Sequence, residues 1–147
     1  MAGWGLERHV DEFGRTLGEE LLEPTRLYTR ACLAMIEGVG SGPDPATMHV
    51  HALSHVTGGG SGLIADVDRS AWQIPPVFDV VRRLGNVPWD DLEGTLNLGI
   101  GMVAVVDESI AEAAIEVSRA AGIEACVLGS VHKADEYEVT GRVVSGT

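Results

Sequence analysis

Basic residues are scarce in this chain. Ten Lys and Arg stand against 22 Asp and Glu, for a formal net charge of −12. A field of that sign repels a phosphate-rich polymer, which argues against nucleic acid as a partner. A small phosphorylated metabolite is a different case, because a few local donors outweigh a diffuse, screened charge. Cysteine is scarcer still. Cys32 and Cys126 lie far apart, form no CxxC and support no disulfide framework, a usage that fits a reducing cytoplasm. No run approaches the ~18 apolar residues of a membrane span. The opening "MAGWGLERHVDEFGR" carries charge where a signal peptide needs an apolar stretch. Internal repeats and low-complexity tracts are also missing.

What remains is an ordinary globular mix. The 147 residues, 45% hydrophobic and 22% charged, suffice for one domain over 1–147 and are too few for two. "EPTRLYTRACLAMIEG" places Pro24 in a first helical turn and Gly38 at a stop, predicting a helix over 24–37. "ATMHVHALSHV" and "GLIADVD" read as strands, and "IPPVFDVVRRLG" as a short helix entered through prolines. "TLNLGIGMVAVV" has the continuous apolarity of a buried central strand. "DESIAEAAIEVSRAAG" is the clearest helix, with Ser109 and Glu112 as a capping box, Ile110, Ala113, Ala114 and Val117 as its buried face, and Gly122 as its end. "EACVLGSV" and "EVTGRVV" read as further strands, and the chain stops at "VVSGT" as if cut from something longer. Strands and helices alternate loosely, which predicts an α/β (α+β) fold with helices against a mixed β-sheet.

Several stretches could carry chemistry. The triplet Gly58, Gly59 and Gly60 can turn backbone N–H groups toward an anion, with Thr57 adding a hydroxyl and His55 a titratable ring. A plain turn between strands accounts for the same triplet. On a regular strand His49, His51 and His55 share one face, so an HxH metal site is conceivable. Histidines on half-buried strands more often simply pack and hydrogen-bond, and the reading assigns no metal. Asp66, Asp68, Asp90, Asp91 and Glu93 are candidate general bases or Mg²⁺ ligands, although a solvated surface accounts for them equally. Asn97, Gly99 and Gly101 weaken an apolar strand and so mark a close backbone approach, to a ligand or to packed protein.

Taken in order, "FGRTLGEELLEPTRLY", "HALSHVTGGG", "DVDRSAWQIPPVF" and "TLNLGIGMVAVV" resemble the phosphoribosylformylglycinamidine cyclo-ligase (aminoimidazole ribonucleotide synthetase) family, from about Phe13 to Val131. The likeness is to its C-terminal, substrate-side domain. It implies an ATP-dependent ring closure in purine biosynthesis, with ATP and Mg²⁺ held mostly by an N-terminal domain that has no counterpart here. It therefore implies an isolated chain that neither turns over nor holds a cofactor, with the N-terminal domain as partner and homo-oligomer formation open. On the family pattern His55, Thr57, Gly58, Gly59 and Gly60 match the substrate loop. Asn97, Gly99 and Gly101 match the strand written "TFNMGIGM", with Leu96 and Leu98 as volume-conserving swaps. Asp68 and Trp72 match "DRSxW" and read as structural.

One departure stands out. In the family the glycine triplet feeds a helix of roughly ten residues, of the form LxxNLxRVLP, where nest and helix dipole would add. Here "TGGG" runs directly into "SGLIADVD". A phosphate bound at this loop is therefore expected to be held weakly. A non-catalytic phosphate-binding or interaction domain of the same fold, or another ATP-using member of the superfamily, are the alternatives.

Overall fold

The computed structural model describes residues 5–40, 48–56 and 66–131. In chain order the elements are β1 (His9–Val10), β2 (Arg15–Thr16), α1 (Leu17–Leu21), α2 (Thr29–Met35), β3 (Val50–His55), β4 (Asp66–Val67), α3 (Pro76–Gly85), α4 (Trp89–Thr95), β5 (Met102–Val106), α5 (Ala111–Ala120) and β6 (Gly129–Ser130). A π-helical turn, Ile36–Gly40, extends α2, and 3-10 turns cover Arg69–Ala71 and Glu108–Ile110. The mixture of helices and strands agrees with the expected class. The strands pair as three antiparallel ribbons, β1–β2, β3–β5 and β4–β6. Among the described residues no helix is long and apolar enough to cross a membrane.

Local chemistry explains several helix ends. Thr16 accepts the Glu19 N–H while the Glu19 carboxylate accepts the Thr16 N–H, a reciprocal cap that starts α1. Pro76 opens α3, and Asn86, at φ 50°, closes it. At the end of α5 the Gly122 N–H donates to Arg119 and the Ile123 N–H to Ser118, with Gly122 at φ 84°. That is a Schellman ending, as the sequence predicts.

Four expectations need correction. The helix drawn over 24–37 begins only at Thr29, because Pro24 lies in the connection from α1 and Tyr28 is the first residue to accept a helical bond, from Cys32 N–H. The capping box at Ser109 and Glu112 does not form. Ser109 lies inside a 3-10 turn, so α5 starts after Ile110 without a side-chain cap. "TLNLGIGMVAVV" is not one strand: its first residue ends α4, residues 97–100 form a turn, and only Met102–Val106 pairs. The strand read in "EACVLGSV" is confined to Gly129–Ser130, which pairs with β4. "EVTGRVV" lies outside the described residues.

The main core covers one face of the β3–β5 ribbon. Met35 of α2, Val50 of β3 and Ala114 of α5 are buried together, with Val39, Leu53, Ala104, Val106 and Ile110 packed around them. A two-stranded ribbon is marginal alone, so this cover from α2 and α5 is what fixes it. Val50 and Leu53 are three residues apart yet both face the core. The reason is a bulge: Val50 pairs with Val106 and Ala52 with Val105, leaving His51 as an extra residue.

Candidate functional site at the ends of the central ribbon

The bulge decides where the histidines go. An unbroken strand would put His49, His51 and His55 on one face. The inserted residue moves everything after it to the other side, so His55 shares the face of Leu53. The expectation of a shared face is therefore wrong for His55. His49 and His51 stay together at the opposite end of the ribbon, where both meet one carboxylate. His49 Nδ1 lies 2.7 Å from Asp107 Oδ2 and His51 Nε2 lies 2.6 Å from Asp107 Oδ1. An ionised carboxylate only accepts, so both ring nitrogens donate. The bonds from His51 and then His49 hold the Asp107 carboxyl below its ordinary value. Among the described residues, no group of three or more His, Cys, Asp or Glu side chains could hold a metal ion.

His55 sits at the other end, paired with Met102, and is exposed. Among the described residues its ring takes no hydrogen-bond partner; its one specific neighbour is the Tyr28 ring, at 5.8 Å between centroids and 54° between planes. The next residue, Val56, donates its N–H to the Gly101 carbonyl at 2.8 Å. His55 and Gly101, distant in sequence, are thus brought to one place. The chain leaves that place into Thr57, Gly58, Gly59 and Gly60, which lie outside the described residues.

Gly101 is glycine for a visible reason. A Cβ there would stand 2.0 Å from the Tyr28 hydroxyl oxygen and 2.8 Å from its Cζ. Gly99 has a different one. It lies at φ 99°, and a Cβ would meet Pro75 Cδ at 2.6 Å. Leu98 is also left-handed, at φ 49°, and the Ile100 N–H donates to the Asn97 carbonyl at 2.9 Å, so 97–100 is a tight turn. The Asn97 side chain accepts the Gly99 N–H at 3.1 Å through its oxygen, which braces the turn.

The segment carrying Asp68 and Trp72 cradles this turn. Asp68 accepts the Ser70 hydroxyl and backbone N–H, and those two bonds lower its pKa. The Trp72 indole donates to the Leu98 carbonyl at 3.0 Å. Arg69 stacks over Trp72 at 5.1 Å and pairs with Glu93. These contacts agree with a structural role for Asp68 and Trp72, and they engage Glu93. Tyr28 joins the site as a residue that no sequence motif marks. Drawn inside a helix, it gave no signal beyond its place in "EPTRLY".

The profile of the family described as AIR synthase related protein, C-terminal domain, matches residues 1–142. The chain belongs to that family. Among curated relatives of this AIR synthase-related C-terminal domain is the phosphoribosylformylglycinamidine cyclo-ligase of Alkaliphilus oremlandii. It is 41% identical over 133 residues, covering 84% of the chain and 36% of the relative. The Sorangium cellulosum protein of the same name is 38% identical over 154 residues, covering 98% of the chain and 42% of the relative. A Streptomyces fradiae protein, provisionally given that name, is 45% identical over 140 residues, covering 88% of the chain and 72% of the relative. The chain thus spans well under half of the first two relatives. The alignment with the Sorangium protein is longer than this 147-residue chain, so that relative has residues for which the chain has none.

Proposed function

We propose that this domain supplies the substrate side of an ATP-dependent phosphoribosylformylglycinamidine cyclo-ligase. The observation that carries the reading is the meeting of His55 and Gly101 at the ribbon end from which the Thr57–Gly60 segment departs. The glycine amides and the His55 ring take the phosphate or nearby polar groups of formylglycinamidine ribonucleotide. ATP and Mg²⁺ come from a second domain. Phosphorylation turns the formyl amide oxygen into a leaving group; the amidine nitrogen attacks that carbon, the imidazole closes, and the oxygen departs as phosphate alongside ADP. Holding nucleophile and carbon in near-attack geometry is the contribution a substrate-side domain can make.

Two features bear on the partner and on the loop. Leu22 and Leu27, flanking Pro24, are 82% and 87% exposed, which suits an apolar face covered by the second domain or by another copy of the chain. The family pattern supports a segment missing after Gly60, which would leave the anion site without its helix. The compartment consistent with this reading is the cytoplasm.

The test is a chimera. This chain replaces the matching region of the Alkaliphilus enzyme, once as it stands and once with the relative's own residues inserted after Gly60. Each is assayed for ADP release and for growth of a purine auxotroph. The isolated chain is expected to give no product. The restored chimera is expected to be active, and the unrestored one to be weaker through a raised KM. A folded restored chimera without activity would refute the reading. Activity lost only in the unrestored form would identify the present chain as a binding module that has kept the fold.

A further inference from the structure

We propose that Tyr28 is a positioning residue that holds the His55 ring at the open end of the central ribbon, and that Gly101 is kept bare to admit it. The inference rests on the assignment of His55 to the substrate side. Tyr28 is well placed for such a role. Its backbone lies at φ −83°, ψ −12°, and its carbonyl accepts the Cys32 N–H at 2.9 Å, so the first turn of α2 fixes where the ring starts. That helix is held in turn by Ala31 and Met35, both buried. From this base the ring reaches the open end of the central ribbon and touches two things there.

One is Gly101. The phenol occupies the space a side chain at 101 would need, with Oη, Cζ and Cε2 at 2.0, 2.8 and 3.2 Å from an added Cβ. The other is the His55 ring, in the tilted contact described above. Gly101 and His55 are themselves coupled, because the Gly101 carbonyl accepts the N–H of the residue that follows His55. Three elements therefore converge on one imidazole: α2 through Tyr28, β5's approach through Gly101, and β3 itself. An exposed histidine with no hydrogen-bond partner among the described residues would otherwise sample several rotamers. A tilted aromatic neighbour restricts it without consuming either ring nitrogen, which leaves both free for a substrate. Holding a ligand-binding ring in advance raises affinity by removing the entropy lost on ordering it.

The test uses the 147-residue chain and its histidine ring resonances, with His49 and His51 as an internal control at the far end of the same ribbon. Tyr28→Leu is expected to shift the His55 resonances while leaving those of His49 and His51 in place. Tyr28→Phe is expected to leave all three near their original positions. In a titration with formylglycinamidine ribonucleotide, Tyr28→Leu should weaken binding about tenfold, with Tyr28→Phe within about twofold of the parent. Gly101→Ala should shift His55 as Tyr28→Leu does, and adding Tyr28→Phe should partly reverse it by removing the clashing oxygen. Unmoved His55 resonances in Tyr28→Leu would overturn the proposal, as would ligand affinity equal to the parent's. If the parent chain binds no ligand while the resonances shift as expected, the substrate-side reading fails and the anchoring of the ring by Tyr28 stands.

Discussion

The two ends of the β3–β5 ribbon carry the same residue type in opposite circumstances. At one end His49 and His51 donate to Asp107, which ties the strand to the turn before α5. At the other, His55 keeps its nitrogens uncommitted among the described residues and rests on an aromatic ring beside a bare glycine. Three histidines within seven positions thus divide into a structural pair and a candidate ligand. Residue type does not separate them. The bulge at His51 does, by moving His55 to the face where Tyr28 waits.

The largest effect is expected from the turn that feeds the open end. Gly99→Ala places a Cβ against the fixed Pro75 ring at a left-handed φ and should cost about 3 kcal/mol, read as a lower midpoint in a denaturant melt. A loss below about 1 kcal/mol would mean that the cradle yields easily. Trp72→Phe comes next. It removes the indole bond to Leu98 and weakens the Arg69 stack, and should cost about 1–2 kcal/mol in the same melt. Gly101→Ala should cost less, about 1 kcal/mol, because a tyrosine side chain can swing away where a proline ring cannot. Its mark should be on ligand affinity instead. If Gly101→Ala unfolds the domain as readily as Gly99→Ala does, the two glycines are equivalent and the open end has no special role.

The closed end predicts a pH effect and no functional one. A depressed carboxyl contributes stability that is present above its unfolded value and lost as pH falls through its folded value. Asp107, lowered from 3.8, should therefore stabilise the fold through neutral pH and lose that contribution below about pH 4. Asp107→Asn should melt earlier than the parent at pH 6, with the gap closing toward pH 3, and should leave ligand binding unchanged. A gap that does not narrow as pH falls below 3.8 would contradict the carboxylate bridge.

Much of this was legible in the sequence because it depends on short-range chemistry. Pro76 and Gly122 act on their own turns, so α3 and the end of α5 could be read directly. The family motifs name His55 and Gly101, and the fold brings the two positions together. The differences trace to distant partners in some places and to local turn geometry in others, and residue spacing shows neither. The bulge exists only relative to β5, so no periodicity within "MHVHALSHV" reveals it. Ser109 and Glu112 have the right spacing for a cap, but a preceding 3-10 turn takes that place. The contact of the Asn97 side chain with the Gly99 N–H two residues on depends on the left-handed turn at Leu98 and Gly99. Tyr28 is not legible in the sequence because helical periodicity runs smoothly through it, while its contacts are with residues on β3 and just before β5.

The most direct measurement is an amide-resolved titration of the 147-residue chain with formylglycinamidine ribonucleotide. The account predicts that the Gly58, Gly59 and Gly60 amides and the His55 ring respond together and saturably, with His49, His51 and Asp107 silent. Saturable responses centred on the His49–Asp107 end, with the glycine amides unmoved, would contradict it.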